Sequence, residues 1–306
     1  MDQYDVVIVG GGPAGLSAAL VLGRARRNML LLDGNEPRNG PSHASHSFFT
    51  RDGEHPAALR RIGRDQLAPY TTVHIEDRVA VSAEGDDGAF RVRFAEGSEI
   101  GIRKVILATG VRDILPEIEG FRRLWGGSAF ACPYCDGWEV RDQPWAVLAE
   151  PSQALPYAAL LSTWTDDLVL LTNGVEEIDP ETTSRLDHLG VPVRTEPIAR
   201  LEGEDRQLRR VIFQSGDALE RTVLLHRPRQ QPRTDTAIQL GCELIVDGMI
   251  PGLIRVDQLQ QTTVPGVFAA GDVATPMQQI AFAVSSGSTA ASMANHQLAQ
   301  ERLASR

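Results

Sequence analysis

The sequence is poor in lysine and cysteine, and it has no long apolar run. Of its 30 basic residues only Lys104 is a lysine, so amine chemistry such as a Schiff base has a single candidate. Three cysteines, Cys132, Cys135 and Cys242, are too few for the disulfide framework of a small secreted domain. No apolar stretch approaches the roughly 18 to 20 residues that cross a bilayer, so no membrane association is expected. A strand pattern begins by Tyr4, which leaves no room for a signal peptide. The expected location is the cytoplasm. Positive charge is also short: 30 basic against 40 acidic residues give a net charge of −10. A field of that sign repels phosphate backbones, so nucleic acid is not an expected partner.

What is present is an ordinary globular composition. With 42% hydrophobic and 23% charged residues and 28 glycines in 306 residues, disorder and collagen are excluded, and the length suits two domains of roughly 150 residues. Tyr4 to Val9 is a short run with β-branched residues, suited to a buried parallel strand. Gly10, Gly12 and Gly15 then form G-x-G-x-x-G, Leu16, Ala19, Leu20 and Gly23 recur at helical spacing, and Met29 to Leu32 form a second strand ending in Asp33. This is the complete dinucleotide fingerprint. Gly10 permits the tight turn, Gly12 lets a pyrophosphate approach the backbone, and Gly15 lets helix and strand touch. The helix N-terminus faces the phosphates with its partial positive charge. Asp33 is placed to accept a ribose 2′-hydroxyl, or else to cap the turn before Gly34.

Further strands are expected over Val73 to Val81 and Phe90 to Phe94, and over Lys104 to Leu107, which leads into the small-residue turn Ala108-Thr109-Gly110. Gly266 to Asp272 repeats that last pattern. Thr275-Pro276 supplies cap and first-turn signals for a long final helix with Ile280, Ala283, Val284, Gly287, Ala291, Ala294 and Leu298 inward. Between Gly110 and about Pro232 lies a second α/β unit, with strands at Trp145 to Ala149 and Leu168 to Leu171 and a helix at Pro156 to Thr163. The fold class is α/β, with one nucleotide domain split by an inserted second.

Cys132 and Cys135 form a lone C-x-x-C, which reads as a redox pair or as half of a zinc site. Zinc takes four ligands. Cys242 lies more than a hundred residues away in an apolar context, and no histidine stands at ligand spacing. The redox reading is the stronger, and no metal is expected.

Taken in order, Gly-Gly-Gly-Pro-Ala-Gly at 10–15, Ala-Thr-Gly at 108–110, Ala-Cys-Pro-Tyr-Cys-Asp-Gly at 131–137 and Gly-Asp at 271–272 resemble the low-molecular-weight thioredoxin reductase family of flavin disulfide oxidoreductases along essentially the whole chain. The resemblance implies two Rossmann-like three-layer domains. Residues 1–113 and 238–306 would form a discontinuous FAD domain, and 114–237 an inserted domain carrying the C-x-x-C. Gly10, Gly12, Pro13, Ala14, Gly15 and Asp33 would hold adenosine and pyrophosphate, with Asn39, His46 and Val79 nearby. Thr109, Gly110, Gly271 and Asp272 would line the cofactor turn and the ribityl or phosphate end. Gln279 and Ile280 would meet the flavin's pyrimidine edge, where a helix N-terminus stabilises the negative charge of the reduced ring; Gln279 also suits an ordinary first-turn position. Cys135 would face the flavin, Cys132 would attack the substrate, and Asp136 would donate the proton or else cap a helix. A homodimer acting on a thioredoxin-like protein or a small disulfide or dithiol is implied.

One stretch departs from the family pattern. Where NADPH-using relatives carry a second glycine fingerprint, this chain reads Ala149-Glu150-Pro151-Ser152-Gln153-Ala154, followed later by Asn173-Gly174-Val175-Glu176-Glu177. Pro151 removes an N–H, and the carboxylates would repel phosphate. The inserted domain is therefore expected to be degenerate, with NADPH not bound in the ordinary way. A ferredoxin, or a second FAD stacked among Trp138, Trp145, Tyr157 and Trp164, would donate electrons; those aromatics alternatively fill the core. Arg227, Arg229 and Arg233 would offset the acidic surface for ferredoxin, or form a solvated hinge. Two other readings are a dithiol oxidase passing electrons to oxygen, as in gliotoxin- and holomycin-type enzymes, and a non-catalytic flavin scaffold or sensor.

Overall fold

The computed structural model describes residues 3–175 and 177–305, so Glu176 of the acidic stretch lies outside the described residues. At the centre of the first sheet, Gln3–Val9 pairs in parallel with Met29–Leu32 on one side and Glu99–Leu107 on the other. Val73–Glu76 extends it, and Val267–Ala269 returns from far along the chain to pair with Glu99–Leu107. These strands are covered on both faces, which is why they read as continuous apolar runs rather than alternating ones. The helices Pro13–Arg24 and Ile280–Ala304 cover one face through buried small residues such as Ala18, Ala290, Ala291 and Ala294. Phe90–Phe94 pairs antiparallel with the first half of Glu99–Leu107 and with Ala80–Glu84, continuing the sheet and packing Phe90, Val92 and Phe94 against the other face.

Two expectations about elements are corrected. The stretch Val73 to Val81 is two strands, because Val73–Glu76 pairs in parallel with Met29–Leu32 while Ala80–Glu84 runs antiparallel to Phe90–Phe94. At the break, Arg78 binds Glu76 and Glu96 and stacks over the Phe94 ring at 3.5 Å. The last helix begins at Ile280 rather than Pro276: Thr275 Oγ1 accepts only the Met277 N–H (3.1 Å), and Gln279 is extended at φ −126.

In the second sheet, Trp145–Leu148 lies between Leu168–Leu171 and Val223–His226, with Val193–Arg194 and Ala129–Phe130 at the edges, all parallel. One face packs on Ala154–Leu161 and Pro180–His188. An antiparallel sheet of Ile198–Glu204, Gln207–Phe213 and Ala218–Glu220 covers the other. This corrects the expectation of a degenerate unit, since strand, turn and helix follow one another here as in the first sheet. Glycine is needed only where φ turns positive or a Cβ collides. Glu150, Gln153 and Ala154 have φ of −64, −99 and −56, so ordinary residues make this turn.

Both sheets belong to one chain path. The chain leaves the first sheet through Val111–Ile114 and returns through Arg229–Pro232, and these two strands pair antiparallel as a linker. The only lysine, Lys104, is wholly buried, with its ammonium on Asp87 (2.5 Å) and Glu301. Among the described residues, no helix is long and apolar enough to cross a membrane.

Candidate active site

Parallel strands present their C-terminal ends as the natural mouth of a site. In the first sheet those ends are Gly10, the turn Ala108-Thr109-Gly110 and Ala270-Gly271. Gly10 sits at φ +118, and a Cβ there would lie 2.1 Å from the Ala108 carbonyl oxygen. Gly12, the residue before the Pro13–Arg24 helix, has nothing within 4 Å of the Cβ it lacks. The first glycine makes the turn, and the second leaves open space above a helix N-terminus.

That space is a cavity of about 460 Å³. Gly10, Gly12, Pro13, Ala14, Asn39 and Val79 line it, and so do Thr109, Gly110, Gly271, Asp272, Gln279 and Ile280. Cys132, Cys135, Asp136 and His46 also border it, so residues far apart in sequence meet here. Two of the expected site residues do not line it. Gly15 packs inside, its absent Cβ only 1.8 Å from the Gly10 carbonyl oxygen. Asp33 is 4% exposed and is already engaged: its carboxylate accepts from Arg60 Nη2 at 2.8 Å and from the Asn35 N–H at 2.9 Å.

Sequence reasoning gave Arg38 no role at the site. Its guanidinium grips Asp113 with Nε and Nη2, both at 2.8 Å, and gives Nη1 to Asp272 (2.9 Å) and Gln278 (2.7 Å). Burial alone would lower its pKa, but the bonds and charges of Asp113 and Asp272 outweigh that and raise it. A charged residue in the Pro-Arg-Asn-Gly turn was the available signal, but its partners lie 75 and 234 residues away.

Cys132 is extended and precedes the single turn Pro133–Asp136, with the N–H groups of Cys135 and Asp136 returning to its carbonyl at 3.1 and 3.2 Å. The turn brings the two Cα atoms to 5.3 Å, and the sulfurs are joined as a disulfide. Directly after it, burial pushes the Asp136 carboxyl up to about 6, against the lowering charge of His46 and with a smaller push from Glu139. His46 Nε2 lies 3.5 Å from Glu139 and its Nδ1 lies 3.8 Å from Asp52. Beside it, Ser47 Oγ donates to the carbonyl of Tyr134, between the two cysteines, at 3.0 Å.

FAD fits this cavity on two observations: the open volume over Gly12 at a helix start, and the disulfide bordering the same space. The four aromatics expected to hold a second flavin are otherwise placed, with Tyr157 packed on the core of the inserted unit. Trp145 is fully buried with Nε1 donating to the Val140 carbonyl, Trp164 packs edge-on to Tyr134, and Trp138 is exposed under Arg141. The arginines expected to greet a ferredoxin make contacts of their own, Arg227 lying 3.5 Å from the Met249 sulfur. Arg229 is in the linker, and Arg233 binds the Val111 carbonyl and Glu36.

The family model described as pyridine nucleotide-disulphide oxidoreductase matches residues 4–287. The thioredoxin reductase sirT of Leptosphaeria maculans is 32% identical over 319 residues, covering 99% of this chain and 97% of that protein. The structure of the oxidoreductase from Agrobacterium tumefaciens superposes with a TM-score of 0.91 at 36% identity, covering 97% and 99% of the two chains. HlmI superposes at 0.92 with 40% identity, covering 99% and 95%. These matches overturn the expectation of an atypical member lacking NADPH and fed by ferredoxin or a second FAD. The family match runs through the whole inserted unit, and relatives alike over nearly their full length are thioredoxin reductases. The oxidase and scaffold alternatives are replaced with it by a flavin-dependent disulfide oxidoreductase.

Proposed function

The chain belongs to the pyridine nucleotide-disulphide oxidoreductase family, and from that membership we propose that it carries electrons from NADPH to a disulfide substrate. It is a flavin-dependent disulfide oxidoreductase related to the thioredoxin reductases, and the substrate in this proposal is a thioredoxin-like protein or a small disulfide. The observation that carries the reading is the Cys132–Cys135 disulfide and Asp136 bordering the cavity that opens over Gly12. FAD, when bound there, supplies two-electron chemistry between NADPH and that disulfide. In net terms NADPH, one proton and a disulfide give NADP⁺ and two thiols.

Gly10, Gly12, Pro13 and Ala14 would hold the pyrophosphate at the helix start. Gly15 holds helix against strand, and Asp33 holds Arg60 and the Asn35 N–H beside it. Asn39, Val79, Thr109, Gly110, Gly271 and Asp272 line the same cavity and would hold the rest of the cofactor, with Gln279 and Ile280 at the start of the last helix available to its ring. Once reduced, Cys132 as thiolate attacks a substrate sulfur. The substrate S–S bond breaks, one substrate thiol leaves, and a mixed disulfide forms. Cys135 then attacks Cys132, which releases the second thiol and restores the internal disulfide. Asp136 holds the exchanged proton beside the sulfurs, a task suited to a carboxyl raised to about 6.

We place the FAD domain at residues 1–113 and 238–306 and the NADPH domain at 114–237, in a cytoplasmic homodimer. The linker strands at 111–114 and 229–232 support these boundaries. The test is an anaerobic titration with NADPH followed by flavin absorption. Prompt bleaching is expected; a flavin that stays yellow with NADPH but bleaches with a dithiol sinks the NADPH assignment. Cys135→Ser is expected to keep the yellow flavin and lose disulfide exchange by at least about 10³-fold, measured with a chromogenic disulfide.

A further inference from the structure

His46 stands in the first domain's loop, yet it faces the cysteine turn of the inserted domain. It borders the same cavity as Asp136 and the two cysteines, and its Nε2 lies 3.5 Å from Glu139, three residues beyond Asp136. The adjacent Ser47 hydroxyl binds the Tyr134 carbonyl at 3.0 Å, so the loop is docked on the residue between the cysteines. The charged groups near Asp136 are thus of opposite sign and come from different segments of the chain. His46 arrives from the first domain, with Asp52 of its own loop 3.8 Å behind it, and Glu139 follows from the cysteine turn itself.

We propose that His46 and Glu139 are opposed positioning residues that set the protonation of Asp136, and that the first domain thereby tunes the proton supply of a disulfide carried by the second. The inference rests on the proton role of Asp136 stated above. A cationic imidazole stabilises the carboxylate form, and a carboxylate neighbour stabilises the carboxylic acid. Burial raises the Asp136 carboxyl most, the charge of His46 lowers it and that of Glu139 raises it further. Because His46 belongs to the first domain's loop, its effect on Asp136 holds only while the loop at 46–52 lies against the cysteine turn.

The test reads the carboxyl directly. With ¹³C-labelled aspartate, the Asp136 resonance is identified by its disappearance in Asp136→Asn, and its titration midpoint is followed in the flavoprotein and after flavin removal. His46→Gln is expected to move the midpoint up, and Glu139→Gln to move it down, each by about half a pH unit given partial solvent screening. The double variant is expected to return close to the starting value. Midpoints that stay within about 0.2 unit in both variants, or that shift in the same direction, overturn the proposal. A loop that acts only by packing would change stability without opposed shifts. If His46→Gln fails to fold, Glu139→Gln, which lies on the exposed side, still decides by its sign. Failure of the underlying role of Asp136 is read separately, as undiminished disulfide exchange in Asp136→Asn.

Discussion

At the scale of single residues, Asp136 shows how burial selects a chemistry. An aspartate in water is ionised well below neutral pH, whereas here desolvation lifts the carboxyl to about 6. The same shift bears on stability. Below the unfolded pKa, near about 4, both states carry the proton and there is no penalty. As pH rises through the folded pKa, the native state must bury a charge, and stability falls to its lower plateau above about 6. Asp136→Asn removes that penalty. It is expected to be more stable than the parent by about 2 kcal/mol at pH 7.5 and equal to it at pH 3.5, in parallel urea denaturation curves. A difference that persists at the acid end would mean that packing, not charge, is the cause. Asp136 was legible as a candidate because it follows C-x-x-C directly, but its neighbour His46 was legible only as a residue near the cofactor. The His46–Glu139 approach spans 93 positions, and no local pattern encodes a contact across two domains.

Among elements, the glycine turn gives the sharpest contrast between a fold requirement and a ligand requirement. Gly10→Ala puts a methyl onto the Ala108 carbonyl at positive φ, so it is expected to destabilise the fold by more than about 1 kcal/mol. Gly12→Ala meets nothing within 4 Å and keeps a φ of −78 that alanine accepts. It is expected to melt like the parent when stripped of cofactor but to retain FAD at least about tenfold more weakly. Equal flavin affinity in Gly12→Ala, by equilibrium dialysis, would remove the pyrophosphate from that turn. Strand, glycine turn and helix were readable at residues 4 to 33 because the three glycines answer three steric demands within one short segment. The turn at 149–154 misled for the complementary reason. Its backbone never enters the left-handed region, so the absence of glycine reports on side-chain preference and not on whether the strand–turn–helix forms.

For the molecule as a whole, the Arg38 network is the clearest link between cavity and linker. Asp113 and Gln230 come from the two linker strands and Asp272 and Gln278 from the cavity wall, and one guanidinium and one amide pair join all four. Arg38→Met leaves Asp113, 10% exposed, and Asp272 without their cation. The cost is expected to be about 3 kcal/mol, seen as a lower melting temperature together with weakened flavin retention. Arg38→Lys is expected to recover only part of both, since an ammonium cannot reproduce the bidentate fork on Asp113. Full recovery by lysine would reduce the network to simple charge balance.

The nucleotide-type fold, the split first domain and the redox character of Cys132 and Cys135 were determined by the sequence itself, because each rests on spacing within a segment: glycines around a turn, apolar runs in buried strands, cysteines two residues apart. Only the tertiary structure brought Arg38 to the cavity beside the motif residues and onto its partners. Chain reversal through the paired linker strands brings residues 38, 46, 132–136 and 272 together, and ion pairs such as Arg60 with Asp33 turn a site residue toward the protein. Local pattern follows the geometry of neighbouring residues, whereas electrostatic partnership follows distance through space, which the order of residues does not record.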